Sequence, residues 1–405
     1  MHIALFSPAW PIQKFQNGIV TYVHCMKLAL ERLGHRVSIF AATMDAEDEG
    51  DPDIHHVRHT AWQRATHRFA RSRYPTERVI LEFGQVIAAS IRRVHQLDPI
   101  DIIEMEESFG WSADVSRLTG LPVLVKLHGP AFLSLIDEEL DSSMGQERVR
   151  REGEALRVAP AISAPCLITL KQTLARYQLE PALAEQMSNP LMMSADTPPW
   201  QSGTCNPDTI LFVGRFDKRK GADIVLQAFA NLLQQRPKLR LIVVGPDAGL
   251  TRPGGSCIKF EAFRDELFPV GMRDRIDFRG PLPNSEIAAI RLLAHVSVVA
   301  SRWENPGYTA LEAMYQGCPL VCSDAGGCPE IVSSGGTGLL ARSEDPADFA
   351  AKIAAMLDDP LAAARIGAAA RQHVLQTYSA SKVGTDSLEL YDRVIATHRA
   401  ARRSH

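Results

Sequence analysis

A chain of 405 residues, 45% hydrophobic and 22% charged, is longer than one hydrophobic core usually organises, which favours two domains or slightly more. A formal net charge of −3 gives no reason to expect nucleic acid as partner. The seven cysteines show no paired zinc-type spacing, MHIALFSPAW carries no secretion-signal pattern, and no apolar run reaches about 18 residues, so a reduced, cytoplasmic protein without a membrane span is expected.

In chain order, HIALFS has the length of a strand. GIVTYVHCMKLALERLG follows with apolar residues at helical spacing, and HRVSIFAA reads as the next strand. The alternation returns at DIIEME, at PVLVKLHG and at PCLITL followed by KQTLARYQL. Across 188–209 periodicity fails and Pro, Ser, Thr, Asn and Gly accumulate, which predicts an interdomain linker. A second series then runs through TILFVGRF, GADIVLQAFANLLQQ, LRLIVVGP, RIDFRG, HVSVVAS and PLVCSD to a helical tail. The expected fold is α/β: two Rossmann-like parallel-sheet domains facing a cleft, 1–190 on the acceptor side and 191–380 on the donor side. The acidic loop DAEDEGDPD (45–53) reads as solvated surface rather than a metal site.

The chemistry concentrates in SRWENPGYTALEAMYQG (301–317). Asn305 as N-cap, Pro306 in the first turn and Gly317 as stop predict a helix over 306–316. Its N-terminus, at the carboxyl end of a parallel strand, suits a phosphate. Glu304 precedes that helix and Glu312 lies within it, so one acid can meet each end of a diphosphate-linked ligand; either alone reads more simply as a surface charge. LFVGRFDKRKGAD adds Arg215 and Lys220 after another strand end, with Gly214 and Gly221 allowing close backbone approach, which makes a diphosphate clamp. Lys218 and Arg219 read as solvated. DAGGCPEIV, with Gly326 and Gly327 before Pro329, supplies a third glycine-bearing turn.

With GRFDKRKG, ENPGYTALEAM, GGCPEIV, NGIVTYVHCMKLALERLGHRV and KLHGP all in place, the sequence resembles the retaining GT-B glycosyltransferases of family 4 (glycosyl transferases group 1) over nearly its whole length. The resemblance implies that Arg215 and Lys220 bind the donor diphosphate and stabilise its departure. It implies that Glu312 holds the ribose hydroxyls, that Glu304 binds hydroxyls of the transferred sugar, and that His128 contacts that sugar or the acceptor from the opposite domain. Gly18 would let the first helix approach the diphosphate. Gly307 and Tyr308 join the donor-binding set, and the Arg279-Gly280 turn would line the base pocket. Two positions differ from the family pattern: Asn17-Gly18 stands where two glycines are common, and Asn-Pro-Gly follows Glu304 in place of Gly-Phe-Gly.

The resemblance further implies sugar transfer from a nucleotide diphosphate-sugar to a hydroxyl acceptor with retention, the leaving phosphate taking the acceptor proton. No cofactor and no metal are expected, since cationic side chains and a helix terminus supply the positive charge. The acceptor is expected to be a glycan, a lipid-linked molecule or a small molecule, in cell-surface polysaccharide or glycoconjugate synthesis. A sugar-nucleotide epimerase and a non-catalytic nucleotide-binding protein of the same fold are the alternatives. A dinucleotide oxidoreductase is disfavoured because neither half has Gly-x-Gly-x-x-Gly after its first strand.

Three further segments carry weaker signals. Residues 55–75 collect Arg58, Arg64, Arg68, Arg71 and Arg73 with Trp62, Phe69 and Tyr74, a composition able to touch anionic headgroups at the inner membrane face, although a solvated helix accounts for it as well. Glu104, Glu106 and Glu107, after the strand DII, border the predicted cleft, where contact with an acceptor is expected of them. The final segment, 381–405, reads as a helix returning to the first domain, with hinges at the linker and near Tyr378.

Overall fold

The computed structural model describes residues 1–15, 17–45, 50–59, 82–192, 197–252 and 255–403. The chain divides into two compact units: unit 1 is Met1–Met192 with Ala380–His405, and unit 2 is Met193–Ser379.

Unit 1 is built on β1 (His2–Ser7), β2 (Arg36–Ala41), β3 (Ile54–His56), β4 (Ile102–Glu106), β5 (Val123–Lys126), β6 (Ala161–Ala164) and β7 (Leu183–Gln186). They form one sheet of order β3-β2-β1-β4-β5-β6-β7 in which every pairing is parallel. Every residue of β1, β4, β5 and β6 is buried, which is why their sequences are near-continuous apolar runs without alternation. Helix α1 (Gly18–Arg32) starts where Asn17 Oδ1 accepts the Ile19 amide at 2.8 Å, and it buries Val23, Met26 and Leu30 on one face. Helix α2 (Ser143–Arg157) is capped by Ser142, whose Oγ accepts the Gly145 amide at 3.0 Å.

One strand expectation is corrected. PCLITL is not a strand: β6 is the preceding Ala-Ile-Ser-Ala, and LITL opens helix α3 (Leu167–Tyr177). Thr169, Leu170, Thr173 and Tyr177 recur at helical spacing and form the buried face. The local β-branched character yields to that longer period.

Unit 2 runs through β8 (Thr209–Val213), α4 (Ala222–Leu233), β9 (Arg240–Val244), a small antiparallel pair β10 (Leu250–Thr251) and β11 (Cys257–Ile258), β12 (Ile276–Phe278), α5 (Asn284–Leu293), β13 (Val296–Val299), α6 (Tyr308–Gln316), β14 (Leu320–Ser323) and β15 (Leu339–Ala341). Its main sheet is again wholly parallel, in the order β12-β9-β8-β13-β14-β15. Its core gathers Phe212, Phe216, Phe229, Phe260 and Phe349.

Part of the expected linker is itself tied into this unit: Trp200 donates its amide to Gln316 O and its indole N–H to Ala294 O, both at 2.7 Å. Within 188–209, residues 193–196 lie outside the described residues.

The last helix, α7 (Ala380–Arg403), belongs to unit 1 and packs along α1. Tyr391 on α7 donates its hydroxyl to Glu104 Oε2 at 2.9 Å, and Tyr22 on α1 donates to Oε1 at 2.6 Å. Glu104 is therefore a buried anchor joining three elements and not a group facing ligand.

Candidate active site

In a parallel α/β sheet, ligands bind beyond the carboxyl ends of the strands where the strand order reverses. In unit 2 that reversal falls between β8 and β13. The chain leaving β8 carries Arg215 and Lys220, and the chain leaving β13 carries Ser301, Arg302 and Glu304. Gly221 brings the two turns together: its φ is +70°, and a Cβ there would lie 1.9 Å from Ala300 O. Only glycine permits both the left-handed backbone and the contact.

The side chains then interlock. Lys220 Nζ pairs with Glu304 Oε1, which also accepts Ser301 Oγ at 2.9 Å. Glu304 is 6% exposed, so the carboxylate is held in one orientation before any ligand arrives. Its other face lies over Gly307, where a Cβ would come 2.8 Å from both Cδ and Oε2. Behind it, Gly326 (φ +58°) passes so close that a Cβ would sit 2.3 Å from Glu304 O, and the Gly327 amide donates to that carbonyl at 2.7 Å. Glu304 is thus fixed by side chain and backbone alike.

Arg215 is half exposed, with its Nε 2.7 Å from Asp217 Oδ2, while Asp217 Oδ1 accepts the Lys220 amide at 2.7 Å. Asp217 therefore shapes the loop that presents both cations. Arg302 makes a two-pronged bond to Asp223 at 2.9 and 2.7 Å, and its Nε reaches Glu344 at 2.7 Å. Neither Asp217 nor Arg302 was singled out from the sequence. For Asp217 a signal existed, an aspartate three residues before a loop lysine; for Arg302 the partners are too distant in sequence.

The helix over the second acid starts later than expected. α6 begins at Tyr308 with Gly307 in the N-cap position and no side-chain cap, and it ends at Gly317 with φ +75°. The expectation of Asn305 as cap and a helix from 306 is corrected; Gly307, itself extended at φ −73°, is held to that place by the overlying Glu304 carboxylate. Glu312 is the fifth residue of α6, so it lies in the second turn. Its Oε2 accepts Arg291 Nη2 at 3.1 Å. Arg291, on α5, is 2% exposed and donates its Nη1 to Gln316 Oε1 at 2.7 Å. A buried guanidinium thus aims Glu312. Arg279, after β12, spends its guanidinium on Asp277 at 2.8 Å and its amide on Val243 O at 2.9 Å.

In unit 1 the order reverses between β1 and β4. Gly18 opens α1 on that side, exposed, and no heavy atom lies within 4 Å of where its Cβ would be. The protein's own packing does not demand a glycine there. His128 leaves β5 half-buried, its ring 4.7 Å from that of Tyr22 in an edge arrangement. Burial, and then the charge of Lys126, push its pKa down to about 3, so it is a neutral donor and acceptor and not a cation. Lys126 is itself fully buried, donates to Met187 O, and is pushed down to about 8 by burial.

The expectation that Glu106 and Glu107 line a ligand site is revised with that of Glu104. Both are buried, Glu106 accepts Ser108 Oγ at 3.0 Å, and Glu107 accepts backbone amides. Of the basic segment 55–75 only residues 55–59 are described; Trp62, Arg64, Arg68, Phe69, Arg71, Arg73 and Tyr74 lie outside the described residues. Arg58 Nε meets His56 Nδ1 at 2.7 Å.

Two family models match consecutive stretches, Glycosyltransferase Family 4 over residues 16–190 and Glycosyl transferases group 1 over residues 199–373. The chain belongs to glycosyltransferase family 4. Among curated members, a D-inositol 3-phosphate glycosyltransferase from Streptomyces avermitilis is 34% identical over 196 residues, 48% of this chain and 42% of that protein. One from Thermobifida fusca is 29% identical over 276 residues, 65% of this chain and 62% of that protein. The matched stretch thus spans less than two thirds of either relative. The GT-B fold of the family is shared with sucrose-phosphate synthase from Thermosynechococcus elongatus, at TM-score 0.73 and 21% identity over 98% of this chain and 99% of that one. It is shared also with Anabaena HepE solved in complex with UDP-glucose, at TM-score 0.67 and 17% identity over 97% and 100%. Among the described residues of this family-4 chain, no helix is long and apolar enough to cross a membrane, and no group of three or more His, Cys, Asp or Glu could hold a metal ion.

Proposed function

We propose that the protein moves a sugar from a nucleotide diphosphate-sugar to a hydroxyl acceptor with retention of anomeric configuration. The observation that carries this is the convergence at the β8/β13 reversal: Arg215, the Lys220–Glu304 pair and the uncapped start of α6 at Gly307-Tyr308 stand together, with Glu312 aimed from the second turn of that helix. An uncapped helix start flanked by two cations favours a diphosphate. Arg215 and Lys220 neutralise the charge that grows on it as the glycosidic bond breaks. Glu304, already oriented by Ser301 and Lys220, accepts from hydroxyls of the transferred sugar, and Glu312 accepts from those of the ribose. The open space at Gly18 supports close approach of a ligand phosphate to the start of α1.

His128 is assigned to the reacting sugar or the acceptor, where a neutral imidazole makes hydrogen bonds without adding charge. The departing phosphate takes the acceptor proton, and no cofactor or metal is required by this scheme. The relatives named for D-inositol 3-phosphate support a small phosphorylated polyol as one acceptor class, beside the glycans and lipid-linked acceptors of surface-polysaccharide synthesis. The arginines and aromatics of 55–75 support contact with anionic headgroups at the inner membrane face.

The test is thermal stabilisation by UDP, GDP, ADP and their common sugar conjugates, on the wild type and on Glu312→Ala and Arg215→Ala. A ligand at roughly 100 times its dissociation constant adds about 2.7 kcal/mol to the folded state. One nucleotide series should stabilise the wild type and do so less in both variants. Folded protein that none of them stabilises would overturn the donor site.

A further inference from the structure

The turn that carries His128 is held in an unusual way. Leu127 closes β5 by donating its amide to Ser163 O at 2.7 Å. Beyond it, the His128 amide donates to Glu107 Oε2 at 2.9 Å and the Gly129 amide to Glu107 Oε1 at 2.8 Å. Pro130 has no amide to donate, and the Ala131 amide donates to Glu152 Oε2 at 2.7 Å. Every backbone N–H from 128 to 131 therefore ends on a carboxylate oxygen.

Both carboxylates are buried, Glu107 1% and Glu152 0% exposed. Burying an acid is costly, and this site buries a third, Glu106, beside them, with Arg148 donating to Glu152 Oε1 at 2.7 Å and to Ser108 Oγ at 3.2 Å. Burial and the neighbouring Glu152 push Glu107 up to about 8. A strand-to-helix turn can be satisfied far more cheaply by a serine or by water. The arrangement lies at the carboxyl edge of the sheet and holds the backbone of one half-buried histidine, whose ring Tyr22 holds from the side.

We propose that Glu107, backed by Glu152, is a positioning residue that sets the place of the His128 imidazole for the transfer step. This rests on the assignment of His128 to the reacting groups. Two acceptors on one rigid carboxylate fix both the height and the rotation of the turn, which a single bond could not do. In Glu107→Gln one acceptor becomes an NH2 group facing a backbone N–H, so one end of the turn is released while the shape of the side chain is kept.

The experiment measures nucleoside diphosphate release from whichever sugar conjugate of UDP, GDP or ADP stabilises the protein. It uses the wild type, His128→Ala, Glu107→Gln, Glu107→Asp and the two double variants. A displacement on the scale of 1 Å costs about 100-fold in rate. Glu107→Gln should lower kcat about 10- to 100-fold with nucleotide stabilisation unchanged, Glu107→Asp should recover part of that loss, and neither should lower kcat further in the His128→Ala background. If Glu107→Gln does not fold, Glu107→Asp in the two backgrounds decides the same question. Loss of rate in His128→Ala with equal losses from Glu107 changes in both backgrounds, or with none in either, overturns the positioning role. Unchanged kcat in His128→Ala overturns instead the assignment of His128 on which it rests.

Discussion

Gly326→Ala puts the placement of Glu304 to a direct test. A Cβ at 326 would lie 2.3 Å from Glu304 O and 2.8 Å from its N, where ordinary contacts begin at 3.4 Å. The atoms on both sides are backbone, so no side chain can swing aside, and the Glu304 carbonyl must retreat by about 1 Å. The φ of +58° adds roughly 1–2 kcal/mol for any L residue, and the overpacking adds about 1–3 kcal/mol. Gly335→Ala is the control: its φ is +80°, but its Cβ would meet nothing within 4 Å. The control should lose only about 1–2 kcal/mol and keep full activity. Gly326→Ala should lose about 2–5 kcal/mol and, through the shift of Glu304, about 100-fold in kcat/KM. Chemical denaturation of both variants and nucleoside diphosphate release from the stabilising donor provide the readout. If the two alanines cost the same and both retain activity, Glu304 is not held as described.

Two other outcomes follow from the charges. The pKa values of Glu106 and Glu107 rise on folding to about 7 and about 8, chiefly through burial, so the folded state holds more protons than the unfolded one and their contribution is lost as pH rises through those values. His128 is lowered and titrates further down, and Lys126 is lowered only to about 8 from above; their contributions disappear on acidification instead. Taken alone, each carboxyl lowers stability by up to about 1.4 kcal/mol per pH unit as its proton is released, while the lowered histidines His2, His24, His35, His55, His128, His295 and His398 act in the opposite sense around the ordinary histidine range. Glu107→Gln removes one of these protons, so the stability of the wild type relative to the variant should fall between pH 6.5 and 8, and a difference that stays flat or climbs contradicts the reasoning. Donor turnover should also survive exhaustive treatment with a chelator, because the proposed scheme leaves neutralisation of the diphosphate to side chains and a helix start; a loss reversed only by adding a divalent cation counts against the scheme.

The sequence made some of this legible and hid the rest for identifiable reasons. Buried parallel strands announce themselves as short apolar runs, and β1, β4, β8 and β13 were found in this way. The places of Arg215, Lys220 and Glu304 in strand-end turns, and of Glu312 on the helix that follows, were legible because helix starts, strand ends and glycines lie beside them in the chain. What escaped was partnership over distance. Nothing near Glu312 names Arg291, 21 residues earlier, as the group that aims it. Likewise a Glu-Glu pair at the end of β4 looks like an acidic rim, and only the fold turns Glu107 inward onto the His128 turn. PCLITL misled because Ile and Thr favour strands locally, while the period that decided the outcome ran on to Tyr177.

The position of α7 governs the order in which the molecule can be made. Unit 2 is one unbroken stretch, but unit 1 lacks its last helix until all of Met193–Ser379 has been translated. At roughly 5–20 residues per second that interval lasts about 10–40 s. Throughout it, Glu104 has Tyr22 but not Tyr391, and the side of α1 on which Gly384 will pack, so closely that a Cβ there would lie 3.0 Å from Leu33 Cδ1 and 3.2 Å from Ala29 Cβ, faces water. The ribosome therefore delivers a finished unit 2 while the first-synthesised half still waits for its final piece, and the exposed flank of α1 is the surface a nascent-chain chaperone would have to shield.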